Sequence, residues 1–335
     1  MSNQGYILRR ALPGDGDVVR GLINRVFGAN DPAFVPYDRA WAAWKYDANP
    51  AGSHGLVAEN PAGEVVGFYG GVPIRMRADG HDVVFGQNCD SCTDASERRG
   101  LKNPGTFVRT AQAYASTFAR RGGDAVMYGM ATKAHYRLGV RYLDYWMLRT
   151  QPMLVLRDPS RLPDWDRSVH AVPVDRFDAR ADRFAASLES SYPCVGVRDA
   201  SFLNWRFLDR PGEHYVTAFA KTGDRDDYRG HMVFAEARFG DQPTALVVDW
   251  FVNPGDFGAA RSLLRFAAER AAQAGREELV FLCPPTSFWF GRFQDFGFAA
   301  EPSPYVMIAR PYDPRLSSAY LRAHWYYTLA DFDIV

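Results

Sequence analysis

The 335-residue chain exceeds the usual single domain, and with 47% hydrophobic, 23% charged and 14% aromatic residues it excludes a disordered or low-complexity scaffold and predicts a globular protein of two domains. Lys+Arg and Asp+Glu both number 39, so the basic excess of a nucleic-acid or anionic-membrane binder is missing. No stretch near the start has the apolar core of a signal peptide and no later run is apolar enough to span a bilayer. The four cysteines, Cys89, Cys92, Cys194 and Cys283, are too scattered for a disulfide framework. A cytoplasmic protein without nucleic-acid or membrane partners is expected.

In chain order, residues 6–12 read as a strand, and Asp15 or Asp17 can cap a helix whose apolar positions Val18, Leu22, Val26 and Phe27 keep helical spacing up to Gly28. Residues 39–46 form a short helical segment with Trp41 and Trp44 three apart, expected to pack on the core. Residues 54–58, 65–76 and 81–94 read as successive antiparallel strands separated by Asn-Pro-Ala-Gly and Ala-Asp-Gly turns. A polar, basic loop with Arg98, Arg99, Gly100, Lys102 and Gly105 follows, then a helix with Phe107, Val108, Ala111, Tyr114, Ala115 and Phe118 in register. Asn103 is a suitable N-cap and Pro104 suits the first helical position, which sets the expected helix start. Free N–H groups of that first turn, glycines that admit close approach, and the basic side chains together suit a phosphate or pyrophosphate; the alternative is an ordinary strand-to-helix turn with solvated charges. Residues 125–130 read as a strand, 133–140 as a short helix and 142–151 as a strand.

A proline- and aspartate-rich linker, 157–168, divides this first domain, 1–156, from a second over 169–312 in which the order starts again. Strand 169–174, helices 177–188 and 201–208, strands 215–221, 230–239 and 245–252, helix 257–274, strand 279–283, helix 288–296 and strand 305–308 repeat the plan. Local echoes support a duplication: residues 40–46 match 202–207, and residues 136–145 match 289–298. Each half is expected to be an α/β (α+β) domain, a mixed and mostly antiparallel sheet flanked by helices. The aromatic tail, 313–335, should dock on the protein. A sharper expectation is that Asp331, Asp333 or the terminal carboxylate serves the first half's cleft.

The strand–loop–helix with Arg98-Arg99-Gly100, followed by a strand, a short helix and a close such as Phe296-Gly297-Phe298, resembles the GNAT superfamily of acetyl-CoA-dependent N-acyltransferases. The resemblance covers nearly the whole chain, as a tandem of two GNAT-like domains. It implies acetyl-CoA or another acyl-CoA as co-substrate, no metal, a small-molecule amine as acceptor, and a monomer or homodimer. In the family the central strand splays from its neighbour, the pantetheine arm lies in the gap, and loop N–H groups hold the pyrophosphate. Carried onto this chain, the cofactor-binding positions are Cys92, Thr93, Asp94, Arg98, Arg99, Gly100, Leu101, Lys102, Asn103, Gly105 and Thr106. The family's loop pattern counted from Arg99 calls for small residues where Lys102 and Pro104 stand; Gly105 fits with a one-residue insertion. The second half lacks the arginine and carries Asp256 where an anion would sit, so cofactor binding is assigned to the first half.

Acyl transfer from a thioester needs a neutral amine, a donor for the developing oxyanion and a proton for the departing thiolate. The family's usual tyrosine acid falls at Val140 and Phe293. Tyr136, one turn earlier, is the substitute, with His135 second; the ordinary reading of both is a packing or surface residue. Asp90, a carboxylate in the central strand, is the candidate base, or else a strand residue facing solvent or paired with arginine. Cys89-x-x-Cys92 as a metal or redox pair is not favoured, because residues three apart on a strand face opposite ways. Two other readings stay open: an aminoacyl or peptidyl transferase of similar fold, which zero net charge disfavours, and a non-catalytic acyl-CoA-binding or interaction protein.

Overall fold

The computed structural model describes residues 5–98, 104–119, 122–131, 133–162, 168–188, 190–212, 215–239 and 242–334. In chain order the elements are β1 (Ile7–Arg10), α1 (Gly16–Asn30), α2 (Arg39–Ala42), β2 (His54–Glu59), β3 (Val65–Ala78), β4 (His81–Thr93), α3 (Thr106–Phe118), β5 (Asp124–Ala131), α4 (Lys133–Tyr142), β6 (Trp146–Arg157) and β7 (Val169–Pro173). There follow α5 (Ala179–Ser187), β8 (Cys194–Gly196), α6 (Ala200–Leu203), β9 (Val216–Thr222), β10 (Gly230–Phe239), β11 (Gln242–Val252), α7 (Phe257–Gln273), β12 (Glu278–Phe281), α8 (Phe288–Asp295), β13 (Ala299–Pro311), α9 (Ser318–His324) and β14 (Trp325–Tyr326). No described helix is long and apolar enough to cross a membrane.

The chain forms two compact units. The first comprises Met1–Arg75, Val83–Leu148 and Met307–Ser318; the second comprises Met76–Asp82, Arg149–Val306 and Ala319–Val335. In the first, β1 to β5 lie in chain order, with β1, β2 and β3 antiparallel and β4 parallel to β5. The late segment closes this sheet at β5, where the Tyr312 and Asp313 N–H groups both donate to the Ala125 carbonyl. One sheet face is covered by α1, whose Val19, Leu22, Ile23 and Val26 pack with Val57, Phe68 and Cys92. The other is covered by α3, with Val108, Ala111, Tyr114 and Phe118 buried. Gly71 makes that approach possible: a side-chain carbon there would collide with the Tyr114 hydroxyl.

In the second unit β7, β9, β10, β11 and β12 are neighbours in that order, antiparallel until the parallel pair β11–β12. The small residues of α7, Ala259, Ala260, Ala267 and Ala271, are all wholly buried and bring its Leu263 and Leu264 onto a core containing Trp250, Phe281, Trp289 and Phe293. The repeat extends to fine detail. Asp38 caps α2 and Asp199 caps α6, and each four-residue helix runs straight into a five-residue π-turn, Ala43–Asp47 and Asn204–Leu208.

Several elements depart from expectation. α1 runs on to Asn30 through Gly28, and α3 begins at Thr106, with extended Gly105 as its N-cap rather than Asn103. β6 starts only at Trp146, because Leu143–Tyr145 make a turn in which Asp144 takes a left-handed φ of 52°. β13 spans thirteen residues instead of four; Pro302 and Pro304 hide it in the sequence, since proline argues against a paired strand. The short β8 and β14, which pair in parallel, and α9 have no periodicity long enough to detect.

Candidate functional site

The first unit's central strands part. β4 and β5 are paired from Val84↔Asp124 to Gln87↔Tyr128, yet β4 continues to Thr93 and β5 to Ala131. The β4–β5 register thus ends at Gln87↔Tyr128. Asp90 lies three residues past the last pair and takes φ 50°, a left-handed conformation that Asp tolerates better than most residues. The regular extended backbone of β4 is broken there.

The Asp90 carboxylate is enclosed. Lys45 Nζ stands 2.6 Å from Oδ2, with the two side chains 1% and 3% exposed. Tyr46 Oη donates to Oδ2 at 2.5 Å and Tyr37 Oη to Oδ1 at 3.2 Å. The ammonium of Lys45 also lies 4.4 Å from the centre of the Trp41 ring, and Trp41 stacks on Tyr37 with 3.5 Å between centroids. Sequence reasoning missed Lys45, Tyr46 and Tyr37. The available signal was a lysine inside Trp44-Lys45-Tyr46, a segment otherwise apolar enough to be core.

Tyr37, Trp41 and Tyr46 also bound a cavity of about 260 Å³ whose lining includes the charged Arg10, Asp15, Arg20 and Asp47. Aromatic walls with a few convergent charged groups are a usual character of a small-molecule pocket.

Past Asp90, Cys92 is buried, and burial first, then the Asp90 charge, pushes its thiol up to about 12. It is therefore a packing residue, not a nucleophile. Thr93 is buried, with its Oγ1 lacking a hydrogen-bond partner. Asp94 accepts the backbone N–H and the hydroxyl of Ser96, capping a short 3-10 turn, and pairs with Arg25 at 2.9 Å; the Ser96 bonds and Arg25 hold its carboxyl below the usual range. Arg98 is exposed, with Nε 3.2 Å from the Thr93 carbonyl. Arg99, Gly100, Leu101, Lys102 and Asn103 lie outside the described residues. Gly105 caps α3 with no side-chain acceptor, and the first backbone bond of the helix runs from Arg109 N to Gly105 O. The N–H groups of Thr106, Phe107 and Val108 therefore have no partner within the helix and concentrate its positive end.

Tyr136 sits half-buried in the first turn of α4; the side chain of His135 lies outside those described. Val140 is 44% exposed.

The second unit repeats the parting and fills it. β11 and β12 pair from Ala245↔Leu279 to Val247↔Phe281, and a bulge in the β10 register skips Val248. Asp249 follows, fully buried, bound by Arg198 at 3.0 Å, by the Thr328 hydroxyl at 2.7 Å and by His231 Nε2 at 3.3 Å. Burial opposes its charge, but Arg198 and these bonds outweigh it and hold the carboxyl well below the usual range. Asp331, one of the three tail carboxylates expected to serve the first half, is instead buried here with Arg198, at 2.5 Å. Its tail is stitched into place: Tyr326 Oη donates to the Trp250 carbonyl at 2.5 Å, and Arg206 Nη2 to the Phe332 carbonyl at 2.9 Å. Tyr192 Oη and Trp289 Nε1 both donate to the Val252 carbonyl. At the start of α7, Asp256 accepts from Ala259 N and pairs with Arg229 at 2.6 Å. A carboxylate of the chain itself holds the position where an anion would bind.

No family model matches this sequence, and neither does any curated protein. Solved structures do match in fold. A GCN5-related N-acetyltransferase from Anabaena variabilis aligns over 92% of this chain and 73% of its own, at 14% identity and TM-score 0.64. A tandem GNAT protein from the clavulanic acid biosynthesis pathway aligns over 92% and 99%, at 12% identity and TM-score 0.56. N-myristoyltransferase of Saccharomyces cerevisiae with bound myristoyl-CoA aligns over 92% and 82%, at 10% identity and TM-score 0.57. The fold is that of the GNAT N-acyltransferases. A parted parallel strand pair occurs in each unit, and a tandem GNAT protein is among the structures of similar fold.

Proposed function

We propose that the first unit binds an acyl-CoA, acetyl-CoA in the simplest case, and transfers the acyl group to the amine of a small molecule, while the second unit is a copy that binds no cofactor. The observation that carries this reading is the pairing of a strand parting with a helix start that has no side-chain cap. The amides of Thr106 to Val108, with Arg98, Arg99 and Lys102 of the loop, would receive the pyrophosphate. The amides of β4 beyond Gln87 would face the thioester carbonyl and the oxyanion that develops from it. The amine nitrogen attacks the carbonyl carbon, the C–S bond breaks, the amine gives up a proton to solvent or a base, and the CoA thiolate takes one from an acid. Tyr136, with His135 beside it, is the proposed acid. The cavity walled by Tyr37, Trp41 and Tyr46 supports a small acceptor over a macromolecular one, and the balance of charge speaks against an aminoacyl-tRNA donor.

Calorimetric titration with acetyl-CoA and free CoA tests the reading, with thiol release followed across a panel of amines. One equivalent bound per chain, weakened by Arg99→Ala, and release with a small-molecule amine are expected. Failure to bind either ligand would sink the proposal. Binding without release from any amine would favour an acyl-CoA-binding protein without catalysis.

A further inference from the structure

A carboxylate in the central strand of a transferase invites assignment as general base, but the surroundings of Asp90 leave it little capacity for one. A base must offer an oxygen to the substrate's proton, within hydrogen-bond reach. Here an ammonium and two phenols already donate to the two oxygens, and the side chain is 3% exposed. The same residue holds a left-handed φ of 50° in the middle of a strand. A conformation of that kind persists only where the surroundings over-determine it, and here they do. Lys45 and Tyr46 come from the π-turn and Tyr37 from the segment before α2. Gly70 on β3 leaves room for the arrangement: a side-chain carbon there would lie 2.9 Å from the Cys89 carbonyl and 3.0 Å from Tyr46 Oη.

The second unit provides an independent comparison. It carries no basic loop and its helix start is filled by Asp256, yet just past its own strand parting it also has a buried carboxylate, Asp249, bound to a cation from a neighbouring segment. A carboxylate–cation pair at this point is thus present in the unit that has no phosphate site, as expected of a device that holds the strand.

We infer that Asp90 is a positioning residue, not the base: its ion pair with Lys45, clamped by Tyr37 and Tyr46, locks the left-handed break in β4 and so aims the amides next to it into the strand parting. The inference rests on the proposed function for its catalytic consequence, but the lock itself can be read without turnover. Because Tyr37 and Tyr46 also wall the cavity, an acceptor seated there presses on the same clamp.

Lys45→Met, Asp90→Asn and the double variant of the full chain provide the test. Asn tolerates the left-handed conformation and still accepts from the tyrosines, whereas Lys45→Met strands a buried carboxylate. Expected are a loss of kcat of about tenfold or more for Lys45→Met, a smaller loss for Asp90→Asn, partial recovery in the double variant, an acetyl-CoA Kd within about twofold throughout, and no change in the shape of the pH profile. Near-complete loss in Asp90→Asn together with loss of the acidic limb of kcat/KM would make Asp90 the base and overturn the inference. Hydrogen exchange of the amides of residues 89–92 reads the lock directly. Faster exchange in Lys45→Met, with the rest of the first unit unchanged, is expected, and unaltered exchange overturns the inference even if the wild type transfers nothing.

Discussion

The two units carry one plan and spend it differently. In both, a parallel strand pair parts after a short register, a buried aspartate follows the parting, and a capped four-residue helix feeds a π-turn nearby. In the second unit the polar groups beyond the parting are answered by the chain's own side chains. Tyr326 takes the Trp250 carbonyl, Tyr192 and Trp289 take that of Val252, and Asp256 takes the start of α7. In the first, α3 starts from a glycine that offers no side-chain acceptor. If the first unit binds acyl-CoA as proposed, the difference teaches that such a site is lost less by changing the fold than by supplying, from within, the groups that a ligand would bring.

The strongest way to break the comparison is to remove the cation that the second unit's filling depends on. Arg198→Ala would leave Asp249 and Asp331 buried together without their shared guanidinium, and a loss of about 3–5 kcal/mol is expected in urea unfolding. The pH dependence has a definite sign. Asp249 is held below its unfolded value by Arg198 against burial, and buried His231 is also lowered, chiefly by burial. Both contributions are fully present above the unfolded values, near pH 6.5 for His and about 3.9 for Asp, and are lost as pH falls through the lower folded ones. Wild-type stability should therefore decline on acidification; a variant as stable as wild type at pH 7 would show that the filling is not held by charge.

The helix starts give a smaller effect and a sharper contrast. Gly105→Asp copies the second unit's cap into the first, adding an acceptor for the free amides and a negative charge beside the pyrophosphate position. Acetyl-CoA affinity should fall at least about tenfold, or about 1.4 kcal/mol, with the melting temperature unchanged or raised by the new cap. The reciprocal Asp256→Gly should create no second binding equivalent, because no arginine or lysine loop precedes it. Unchanged affinity in the first variant would remove α3 from the proposed site.

Much of this contrast is legible in the sequence. The absence of a basic loop before Asp256, the apolar helix after Gly105 and the repeated Trp-Lys-Tyr and Trp-Arg-Phe segments are visible without coordinates. Periodicity finds long elements such as α3 and α7, because a face that must be buried repeats. It does not find what depends on contacts far apart in the chain. Lys45 meets Asp90 across 45 residues, Asp331 meets Arg198 across 133, and β13 is disguised by its prolines. A charged residue in an apolar segment signals a buried partner but cannot name it, which is why Asp90 reads as a base until its donors are seen.

The smallest expected effect concerns a first-unit carboxylate whose balance runs opposite to that of Asp249. Asp124 is buried at the start of β5, against Gly86, with His54 Nδ1 at 3.1 Å and its Oδ1 lacking a hydrogen-bond partner. Burial raises its pKa, and the hydrogen bond and charge of His54 only partly oppose that rise. Its contribution is therefore present in full below the unfolded value, about pH 3.9, and is lost as pH rises through the folded one. Asn cannot ionise, so Asp124→Asn should gain on wild type as pH increases from 4 to 7, by less than about 1 kcal/mol once its poorer bond to His54 is set against the gain. Urea midpoints of the two proteins at each pH measure the difference. A gap that stays flat, or that moves in favour of wild type with rising pH, would mean that His54 and not burial governs Asp124, and that both units hold their buried carboxylates by pairing.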